Sequence, residues 1–539
     1  MADGAESATL VALRSLREKH TQPKAHRVLV SNATCCREHG SEQVLSDLER
    51  LFKGSKIRIG EAGCTGAHFA HPTIQIQMAD GRRGLFNGKG MPLKGLAEEL
   101  RAGKMPLANR LVVFTTSGRV DESQPFFAPQ VRTSLRDAGF CDPASLSDYL
   151  ATGGFEGLAR ALGLGADGVL DLLKKANLRG RGGVGFPMGQ KAEFTRKGGA
   201  TPRYVVANGE EGEEDTFKDE VLLESNPFGI IEGMMIGALA CGADEGYVFV
   251  NHDYAAAHEW YPKAFKELKE AGLLGRKVLG SSFDFKCQLS ISTAGYISGE
   301  ESALLEVIEG RPARPRLRPP FPAQSGLWGR PTLVNNTETF ALVPLIVARG
   351  LDWWKSVGTE KSPGTKLVSI LGVPREGVME VPMGMAARDV VVTMGGADPN
   401  NLKAVQIGGP TGGYLLPTAL DFPLDFDSRR GHALMGAGGM VAVPRAKRAI
   451  DLALEGIKFM EAGSCGRCTP CREGTHAMRL LVEGLAHGKK SASADDLARL
   501  ARDMGQTSIC GLGQTAGNSF TAVYEAFKPE IEMLLGAAK

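Results

Sequence analysis

Four cysteines in the last quarter of the chain have the residue type and spacing of a metal-cluster site. Cys465, Cys468 and Cys471 lie in a C-x2-C-x2-C pattern, and Cys510 follows after a long helical interval. A turn of small residues can aim three sulfurs at one iron–sulfur cube while a distant fourth closes the site. Four thiolates also suit tetrahedral zinc, and buried free thiols are a third interpretation. Zinc sites usually come as two C-x2-C pairs, so the three-plus-one spacing favours a [4Fe–4S] cluster.

A glycine-rich stretch indicates a second kind of chemistry. Residues 178–191 have the sequence LRGRGGVGFPMGQK. Clustered glycines let several backbone N–H groups face a phosphate, and the flanking arginines and lysine supply positive charge. A plain flexible turn has a similar composition, so the stretch alone leaves both interpretations open. The strand predicted at 204–207 ends in Asn-Gly-Glu-Glu-Gly-Glu, at the strand end where open α/β sheets bind ligands; a solvated acidic turn is the alternative.

Two later stretches carry polar side chains at predicted turns. Residues 294–305, AGYISGEESALL, lead into a helix that starts with two carboxylates, and residues 331–339 have the sequence PTLVNNTET. Acidic residues in a first helical turn are also ordinary partners of the helix dipole, and an Asn pair is common turn chemistry. The order of these signals along the chain, and not any single one, indicates a binding site.

Composition and charge narrow the class of protein. Lys+Arg 63 against Asp+Glu 61 give a net charge of +2, which provides no electrostatic reason to expect nucleic acid as a partner. The sequence has no apolar run long enough to span a bilayer, and its N-terminus lacks the regions of a signal peptide. No disulfide framework is apparent among the cysteines, which fits a reducing compartment. We therefore expect a cytoplasmic protein without membrane insertion.

Hydrophobic periodicity and length predict a multidomain α/β chain. We expect a flexible N-terminus (1–25), a small α/β domain (26–126), an α/β domain with the glycine-rich stretch (127–350), a β-rich domain with strands at 366–372, 377–382 and 390–393 (351–435), and a helical bundle with the cysteine cluster (436–539). The remaining cysteines Cys141, Cys241 and Cys287 are expected to be buried thiols without a role.

Taken together, these motifs resemble the NADH-binding flavoprotein (diaphorase) subunit of respiratory complex I and its soluble relatives. The resemblance extends over about residues 150–535. It implies a thioredoxin-like first domain, a Rossmann-like FMN domain, a ubiquitin-like β-grasp (SLBB-like) domain and a C-terminal helical bundle with a [4Fe–4S] cluster. The soluble relatives are the diaphorase subunits of NAD-reducing hydrogenases and of molybdenum-containing NAD-dependent formate dehydrogenases.

The resemblance also implies roles for individual residues. The flavin phosphate and ribityl chain would be held by Gly180, Arg181, Gly182, Gly183 and Lys191. The rest of the flavin site would be lined by Asn208, Glu210, Glu211, Tyr296, Gly299, Glu300, Val334, Asn335, Asn336 and Thr339. NAD would meet the aromatic Phe186, Phe194 and Phe321 and the polar Glu213, Glu301 and Arg318. Hydride transfer needs no side-chain acid or base, so we assign no catalytic residue.

The first domain departs from the resemblance at its own cluster motif. The thioredoxin-like [2Fe–2S] domain uses C-x4-C and C-x3-C pairs, but Ser41 and His68 stand where the partners of Cys36 and Cys64 would be. A cluster normally needs four such ligands, so we do not expect a [2Fe–2S] cluster here. A fused first domain with altered ligands most resembles the beta subunit of NAD-dependent formate dehydrogenase.

The cofactors together predict a diaphorase subunit. Flavin exchanges electron pairs with NAD(H) and single electrons with iron–sulfur clusters, so it must lie between them. We expect the chain to reduce NAD+ with electrons from formate, which a molybdenum-containing alpha subunit would oxidise in a hetero-oligomer that also holds a small [2Fe–2S] gamma subunit. The alternatives are the diaphorase subunit of an NAD-reducing [NiFe] hydrogenase, the NADH-oxidising subunit of complex I, and a non-catalytic scaffold flavoprotein.

Overall fold

The structure, a computed structural model, describes residues 7–21, 25–115, 118–119, 124–293, 295–490 and 492–536. The strands are β1 (Arg27–Ser31), β2 (Arg58–Ala62), β3 (Thr73–Gln77), β4 (Arg83–Asn87), β5 (Arg110–Thr115), β6 (Gly118–Arg119), β7 (Tyr204–Gly209), β8 (Glu245–Val250), β9 (Lys286–Ile291), β10 (Thr332–Asn336), β11 (Thr365–Leu371), β12 (Gly377–Pro382), β13 (Leu402–Ile407), β14 (Gly413–Leu415) and β15 (Gly439–Pro444).

The α-helices surround three sheets. They are α1 (Ala8–Lys19), α2 (Thr34–Arg37), α3 (Ser41–Phe52), α4 (Leu93–Arg101), α5 (Leu146–Ala151), α6 (Glu156–Ala176), α7 (Met188–Lys197), α8 (Lys218–Leu223), α9 (Pro227–Cys241), α10 (Ala255–Glu270), α11 (Glu301–Ile308), α12 (Thr337–Arg349), α13 (Leu351–Lys355), α14 (Ala449–Ala462), α15 (Thr469–Ala486), α16 (Ala494–Thr507), α17 (Gly511–Thr515), α18 (Asn518–Ala526) and α19 (Lys528–Leu535). The predicted multidomain α/β class is confirmed, whereas the names of the four domains stay predictions.

The first sheet has the strand order β2-β1-β3-β4-β5-β6. β1 is parallel to β2 and antiparallel to β3, so the ends of β1 and β2 and the start of β3 meet at one edge. Val28, Val30, Ile74 and Ile76 face the same side and pack with residues of α3 and α4 into a core of their own. Branched apolar side chains fit a pleated, half-buried surface, which explains why this segment forms strands.

The segment predicted as a flexible N-terminus contains a packed helix, so that prediction was wrong for the described residues of the segment that form α1. The Ser7 hydroxyl accepts a hydrogen bond from Leu10 N–H at the start of α1, and Leu13 is buried. The Thr9 hydroxyl donates to the carbonyl of Ala159 in α6 at 2.7 Å. A short helix is marginal alone and becomes stable when its apolar face packs on a neighbour. Residues 1–6 and 22–24 of this segment lie outside the described residues.

The second sheet is parallel throughout, with the order β10-β7-β8-β9. Helices α6, α9 and α12 pack against one another beside it, and α9 is buried along nearly its whole length. Asn208 pairs with Asn336 in the register of β7 and β10. The polar stretches predicted as a site therefore leave the sheet at one edge, where the carboxyl ends of parallel strands meet.

The third sheet, β12-β11-β15-β13-β14, differs from the prediction at one segment. Residues 390–393, predicted as a strand, belong to the helical turn Asp389–Met394, so that prediction was wrong. Val390 and Val391 are buried in the core beneath the sheet. Their branched side chains favour a strand locally, but packing overrides this preference. The sheet uses β13 instead.

The last six helices, α14 to α19, form the carboxyl-terminal part of the chain. α14 packs against α15 and α18, and their shared apolar core includes Cys471 and Cys510. In the part of the chain that the structure describes, no helix has both the length and the apolar character needed to cross a membrane.

Candidate functional site

The glycine-rich stretch forms a tight loop over the carboxyl end of β10. Its two ends are joined by the bridge between Arg179 and Pro187. Gly183 and Gly185 have φ values of +127° and +71°, which side chains other than glycine rarely adopt. A Cβ added to Gly182 would lie 3.1 Å from the Cβ of Asn336. The loop backbone therefore lies against the end of β10, where backbone N–H groups can approach a ligand closely.

Arg181 turns into the protein and away from the loop surface. Its side chain is fully buried, and the guanidinium donates to the carbonyls of Arg179 at 3.1 Å and Pro363 at 2.8 Å. It also lies over the rings of Trp354 and Phe426, at 5.9 Å and 5.7 Å. Burial lowers the pKa of Arg181 to about 10. The side chain thus supports the loop from beneath, and its backbone N–H donates to the Thr339 hydroxyl at 2.9 Å.

Asn208, near the end of β7, and Glu210, directly after β7, lie at the same edge. The Asn208 amide donates to the carbonyl of Gly299 at 2.9 Å, and its side-chain oxygen accepts from Glu210 N–H at 3.2 Å. Asn251 donates to Glu210 Oε1 at 3.3 Å, whereas Glu210 Oε2 is buried without a hydrogen-bond partner. Burial raises the pKa of Glu210 to about 7. Glu210 is therefore a carboxyl with one oxygen available to a bound group.

Glu211 accepts hydrogen bonds from the start of α8. Its Oε2 accepts from the backbone N–H groups of Asp219 at 2.6 Å and Glu220 at 3.3 Å, at the start of α8. Burial raises the pKa of Glu211 to about 8; the charge of Asp219 adds to this rise and that of Lys218 opposes it. Because the first N–H groups of a helix have no partners within the helix, the hydrogen bonds that they donate to Glu211 anchor α8 beside the loop.

A buried ion network beneath the site was missed by the sequence analysis. The Lys218 ammonium contacts carboxylates of Asp219 at 2.6 Å, Glu211 at 3.6 Å and Glu338 at 3.7 Å, and Lys366 contacts Glu338 at 2.6 Å. In the sequence, residues 210–220 have the composition of a solvated charge run, and Lys366 lies far away along the chain. Only the packing of β11 against the start of α12 brings the two lysines to one carboxylate.

The stretch that begins at Tyr296 contacts both the acidic edge and the carboxyl-terminal helices. The Tyr296 hydroxyl donates to Glu213 at 3.4 Å, and its ring lies 5.0 Å from the ring of Phe459 in α14. Glu300 Oε2 accepts from the N–H groups of Ser302 and Ala303 at 3.0 Å each and so caps α11. Residue 294 lies outside the described residues. This stretch joins the second sheet to the helical bundle.

A chain of charges connects α7 with the loop before Phe321. Lys191 contacts Glu301 at 2.7 Å, and Arg318 contacts Glu301 at 3.2 Å and Glu300 at 3.1 Å. Arg318 also lies over the ring of Phe321 at 5.9 Å. The structure therefore brings together three residues predicted for the NAD site, Glu301, Arg318 and Phe321, and two predicted for the flavin site, Lys191 and Glu300.

Three predicted aromatic residues remain accessible at this site. Phe186, Phe194 and Phe321 are 43%, 50% and 51% exposed, and the first two rings are 6.3 Å apart. Large aromatic side chains bury much apolar area when covered, so exposed ones beside a polar pocket are suited to contact a planar ligand. A stacking role for them stays a prediction.

The four cysteines of the carboxyl-terminal motif belong to the same apolar core of the helical bundle. Cys471 and Cys510 are buried in the core of the bundle, and Cys465 and Cys468 pack partly buried against it. Burial raises the pKa of Cys471 to about 11, and the neighbouring thiols of Cys468, Cys510 and Cys465 add to the rise. Four thiols that influence one another in an apolar pocket are the donor set a [4Fe–4S] cluster requires.

The cluster pocket adjoins the strand edge. Burial raises the pKa of Cys510, and although the backbone N–H groups of Gly513 and Leu512 oppose this, the charge of Glu300 adds to it. Burial is the main cause that raises the pKa of Tyr296, and the charge of Cys510 adds to this rise. A Cβ added to Gly463, two residues before Cys465, would lie 3.1 Å from the Cβ of Tyr296, and the Tyr296 hydroxyl contacts Glu213 at the strand edge. The turn that begins at Tyr296 thus lies beside both candidate cofactor sites.

Unpaired polar atoms at the strand edge fit a bound polar ligand. Among the described side chains, Glu210 Oε2, Asp215 Oδ2 and Asn335 Nδ2 are buried there without a hydrogen-bond partner. Buried polar groups in proteins are nearly always paired, so such a group indicates a ligand that completes them. Together with the glycine loop, the site suits a flavin nucleotide.

Comparison with known proteins agrees with this geometry. A family model described as the Nuo51 FMN-binding domain matches residues 173–345, and one described as the NADH-ubiquinone oxidoreductase-F iron-sulfur binding region matches residues 451–534. The NADP-reducing hydrogenase subunit HndC of Solidesulfovibrio fructosivorans is 40% identical over 408 residues, which are 75% of this chain and 83% of the relative. The chain belongs to the NADH-binding flavoprotein family.

Two further comparisons place this flavoprotein among known relatives. An NADH-quinone oxidoreductase subunit of Rhizobium meliloti (strain 1021) is 38% identical over 402 residues, 74% of this chain and 96% of the relative. A chain of the NAD+-reducing [NiFe]-hydrogenase in the H2-reduced state superposes with a TM-score of 0.66 at 27% identity, covering 97% of this chain and 87% of that chain. That likeness therefore includes the first sheet.

The predicted cofactors of this flavoprotein are confirmed at the level of its regions. The matched FMN-binding region contains the glycine-rich loop and the polar strand ends, and the matched iron–sulfur region contains all four cysteines. FMN, NAD(H) and a [4Fe–4S] cluster are the cofactors of the family, whereas the contacts of individual side chains with them stay predictions.

Proposed function

We propose that this flavoprotein exchanges a hydride with NAD(H) at FMN and single electrons through its [4Fe–4S] cluster, as one subunit of a hetero-oligomeric oxidoreductase. When bound, FMN supplies the chemistry that converts an electron pair into single electrons. The observation that carries the proposal is the position of residues 296–300. Tyr296 contacts Glu213 at the strand edge, and on its other side its ring lies 5.0 Å from Phe459 in α14. A Cβ added to Gly463, two residues before the predicted ligand Cys465, would lie 3.1 Å from the Cβ of Tyr296.

The chain's own residues would hold and orient the flavin. The backbone of Gly180, Gly182 and Gly183 would face the phosphate, because glycine allows the closest approach. Arg181 would position this loop from below, since its guanidinium is already used by two carbonyls. The remaining flavin-site residues at this edge are Asn208, Glu210, Glu211, Gly299, Val334, Asn335, Asn336 and Thr339.

The nicotinamide nucleotide would bind on the exposed side of the same loop. Phe186, Phe194 and Phe321 would cover the adenine, which buries their exposed rings. Arg318, held by Glu301, supplies positive charge for the pyrophosphate. Lys191 contacts the same Glu301 and would supply positive charge to the flavin phosphate. Closure of this surface by the nucleotide would exclude water from the transfer site.

We propose formate as the source of electrons. The support is the first domain, which is fused to the flavoprotein and has Ser41 and His68 in place of two cysteine ligands. A molybdenum-containing alpha subunit would oxidise formate, and a small [2Fe–2S] gamma subunit would complete the complex. Hydrogen is a second candidate, because a chain of an NAD+-reducing [NiFe]-hydrogenase covers 97% of this chain, including its first domain.

Metal content would decide between the two donors. The complex that co-purifies with this chain from its own host should contain about one molybdenum per chain if formate is the donor, measured by inductively coupled plasma mass spectrometry. Nickel without molybdenum would contradict formate and support the hydrogenase. Absence of both metals would contradict both donors and leave the complex I type of function.

Cys510→Ala tests the electron path within the chain. We expect the variant complex to lose about four iron atoms per chain, to keep FMN that NADH reduces, and to lose electron exchange with the partner subunits. Cys287→Ala, which removes a buried thiol outside the motif, is the matched control and should keep all iron. Full iron content and full electron exchange in Cys510→Ala would contradict the proposal.

A further inference from the structure

A second group of sulfur and nitrogen donors lies in the first domain, outside the flavin and [4Fe–4S] sites. It consists of Cys35, Cys64, His68 and His71. Cys35 belongs to α2, just after β1; Cys64 follows β2; and His71 precedes β3. Because β2 runs parallel and β3 antiparallel to β1, these three positions come to one edge of the sheet. The topology therefore assembles four donors from segments that are separate in sequence.

The donor atoms are close enough to share one ion. One ligand atom from each of the four residues can be chosen so that all lie within 4.8 Å of one another. Cys64 Sγ is 3.3 Å from His71 Nε2. With Zn–S bonds of about 2.3 Å and Zn–N bonds of about 2.0 Å, the corners of a tetrahedral zinc site are about 3.3–3.8 Å apart. Side-chain shifts of about an ångström would complete that geometry.

Each histidine offers one buried nitrogen to the group. His68 Nε2 is buried without a hydrogen-bond partner among the described residues, and His71 Nε2 has the sulfur of Cys64 as its neighbour at 3.3 Å. The rings of the two histidines are 4.6 Å apart, and Cys64 and His71 are 0% and 4% exposed. Buried polar nitrogens are rarely left unpaired, so this arrangement points to a bound partner that accepts both thiolate and imidazole ligands.

We propose that the first domain binds one Zn²⁺ ion through Cys35, Cys64, His68 and His71. Two thiolates and two imidazoles in a closed, largely buried site are a typical donor set for structural zinc. A two-iron cluster is not favoured, because ligands of different irons lie farther apart than ligands of one ion. Cys36 is the nearest further sulfur, 3.9 Å from Cys35 Sγ and 3.7 Å from His71 Nε2.

The proposed ion would tie the first domain to the flavin domain. His68 packs against Phe217, with ring centroids 5.0 Å apart, and Cys35 N–H donates to Glu220 at 3.2 Å. Thr34 contacts Glu224 through its backbone N–H at 2.7 Å and its hydroxyl at 2.6 Å. Phe217 directly precedes α8, Glu220 lies within it and Glu224 directly follows it. This is the helix that Glu211 anchors at the flavin site. A structural metal here would thus stabilise α8 as well as the first sheet.

The test begins with the wild-type complex, purified through a tag that does not bind metals and without chelators, from cells grown in zinc-sufficient medium. Zinc K-edge absorption spectroscopy should show a first shell of sulfur and imidazole nitrogen in about equal numbers. A complex without zinc would overturn the proposal, as would a zinc shell that contains no sulfur or no imidazole nitrogen. Because this measurement needs no variant, it does not depend on whether a substituted chain folds.

Variants assign the zinc to this chain and exclude a site in a partner subunit. Cys64→Ser and His71→Gln should each lower the zinc content by about one atom per chain, measured by mass spectrometry. Both variants should retain the four iron atoms of the [4Fe–4S] cluster. The matched controls are Cys287→Ala, a buried thiol elsewhere, and His39→Gln, an exposed histidine whose ring lies 5.7 Å from that of His71. Unchanged zinc in both ligand variants, or a loss of two iron atoms instead of zinc, would overturn the proposal.

Discussion

At the level of single residues, the proposed nucleotide site is characterised by exposed aromatic side chains. Phe194 is 50% exposed and lies on α7 between Lys191 and the end of the helix. We expect Phe194→Ala to raise the KM for NADH about tenfold, because stacking of a base on an aromatic ring is worth about 1–3 kcal/mol. Steady-state kinetics with NADH and an artificial acceptor would measure this.

The control for this substitution is Leu107→Ala, which removes a 72% exposed apolar side chain from the first domain. It should leave the KM unchanged. Both variants should keep the melting temperature of the wild type, since exposed side chains contribute little to folding. An unchanged KM in Phe194→Ala would exclude that ring from the nucleotide site.

Glu210 makes stability depend on pH. Burial raises its pKa in the folded protein to about 7, from 4.5. Below pH 4.5 the carboxyl is protonated in both the folded and the unfolded protein, so it does not lower the free energy of unfolding. As the pH rises towards 7, the carboxyl ionises more readily in the unfolded protein, which lowers the free energy of unfolding by up to about 3 kcal/mol. Glu210→Gln removes this cost. Its gain in melting temperature over the wild type should therefore grow from pH 5 to pH 7 and level off above.

Glu259, whose pKa is lowered and not raised in the folded protein, serves as the control for Glu210→Gln. A hydrogen bond from Arg37 lowers the pKa of Glu259, which is half exposed. This interaction stabilises the folded state at neutral pH and is lost on acidification, so Glu259→Gln should destabilise slightly at pH 7. A pH-independent difference between Glu210→Gln and the wild type would contradict the assigned pKa.

At the level of elements, the glycine loop depends on both its backbone angles and its close contacts. A Cβ at Gly185 would lie 2.7 Å from the Phe426 ring, at a φ of +71°. Gly199 has a similar φ, +77°, but open space around it. We expect Gly185→Ala to lose FMN severalfold and to destabilise the protein, whereas Gly199→Ala carries only the backbone penalty of about 1 kcal/mol.

Comparison of these two variants isolates the contact with Phe426. The measurements are flavin content per chain and melting temperature of the purified complex. If Gly185→Ala retained as much FMN as Gly199→Ala, flavin binding would not depend on the close packing of this loop against Phe426.

At the level of the whole molecule, single buried carboxylates join segments that are distant in sequence. Glu380 on β12 is 1% exposed and accepts hydrogen bonds from the backbone N–H groups of Thr133, Ser134 and Leu135 at 2.7–2.9 Å. The Thr365 hydroxyl donates to the same carboxylate at 2.6 Å. Glu380 therefore holds the segment that precedes α5 against the third sheet.

Glu380→Gln should loosen this connection. The amide nitrogen would face N–H donors, so we expect a loss of about 3 kcal/mol in stability and faster proteolysis between residues 124 and 145. The exposed Glu360→Gln is the matched control and should behave like the wild type. Equal proteolysis rates in the two variants would show that the segment is held by other contacts.

The kind of chemistry and the main elements followed from the sequence. Three cysteines in one turn, a cluster of glycines and polar strand ends are local patterns, because the residues concerned lie within a few positions of one another. Such spacings determine what a single turn or strand end can present to a ligand. For this reason the α/β class and the [4Fe–4S] cluster followed from local patterns, whereas FMN and NAD were implied by the resemblance of the ordered motifs to a known family.

Only the tertiary structure decided which of these side chains face a ligand and which support the fold. The inward turn of Arg181 depends on Trp354 and Phe426, and the helical state of residues 390–393 depends on the core beneath the third sheet. The joining of Cys35, Cys64, His68 and His71 depends on the strand order of the first sheet. Contacts between distant segments arise from the packing of the whole chain, which local spacing and propensity do not encode.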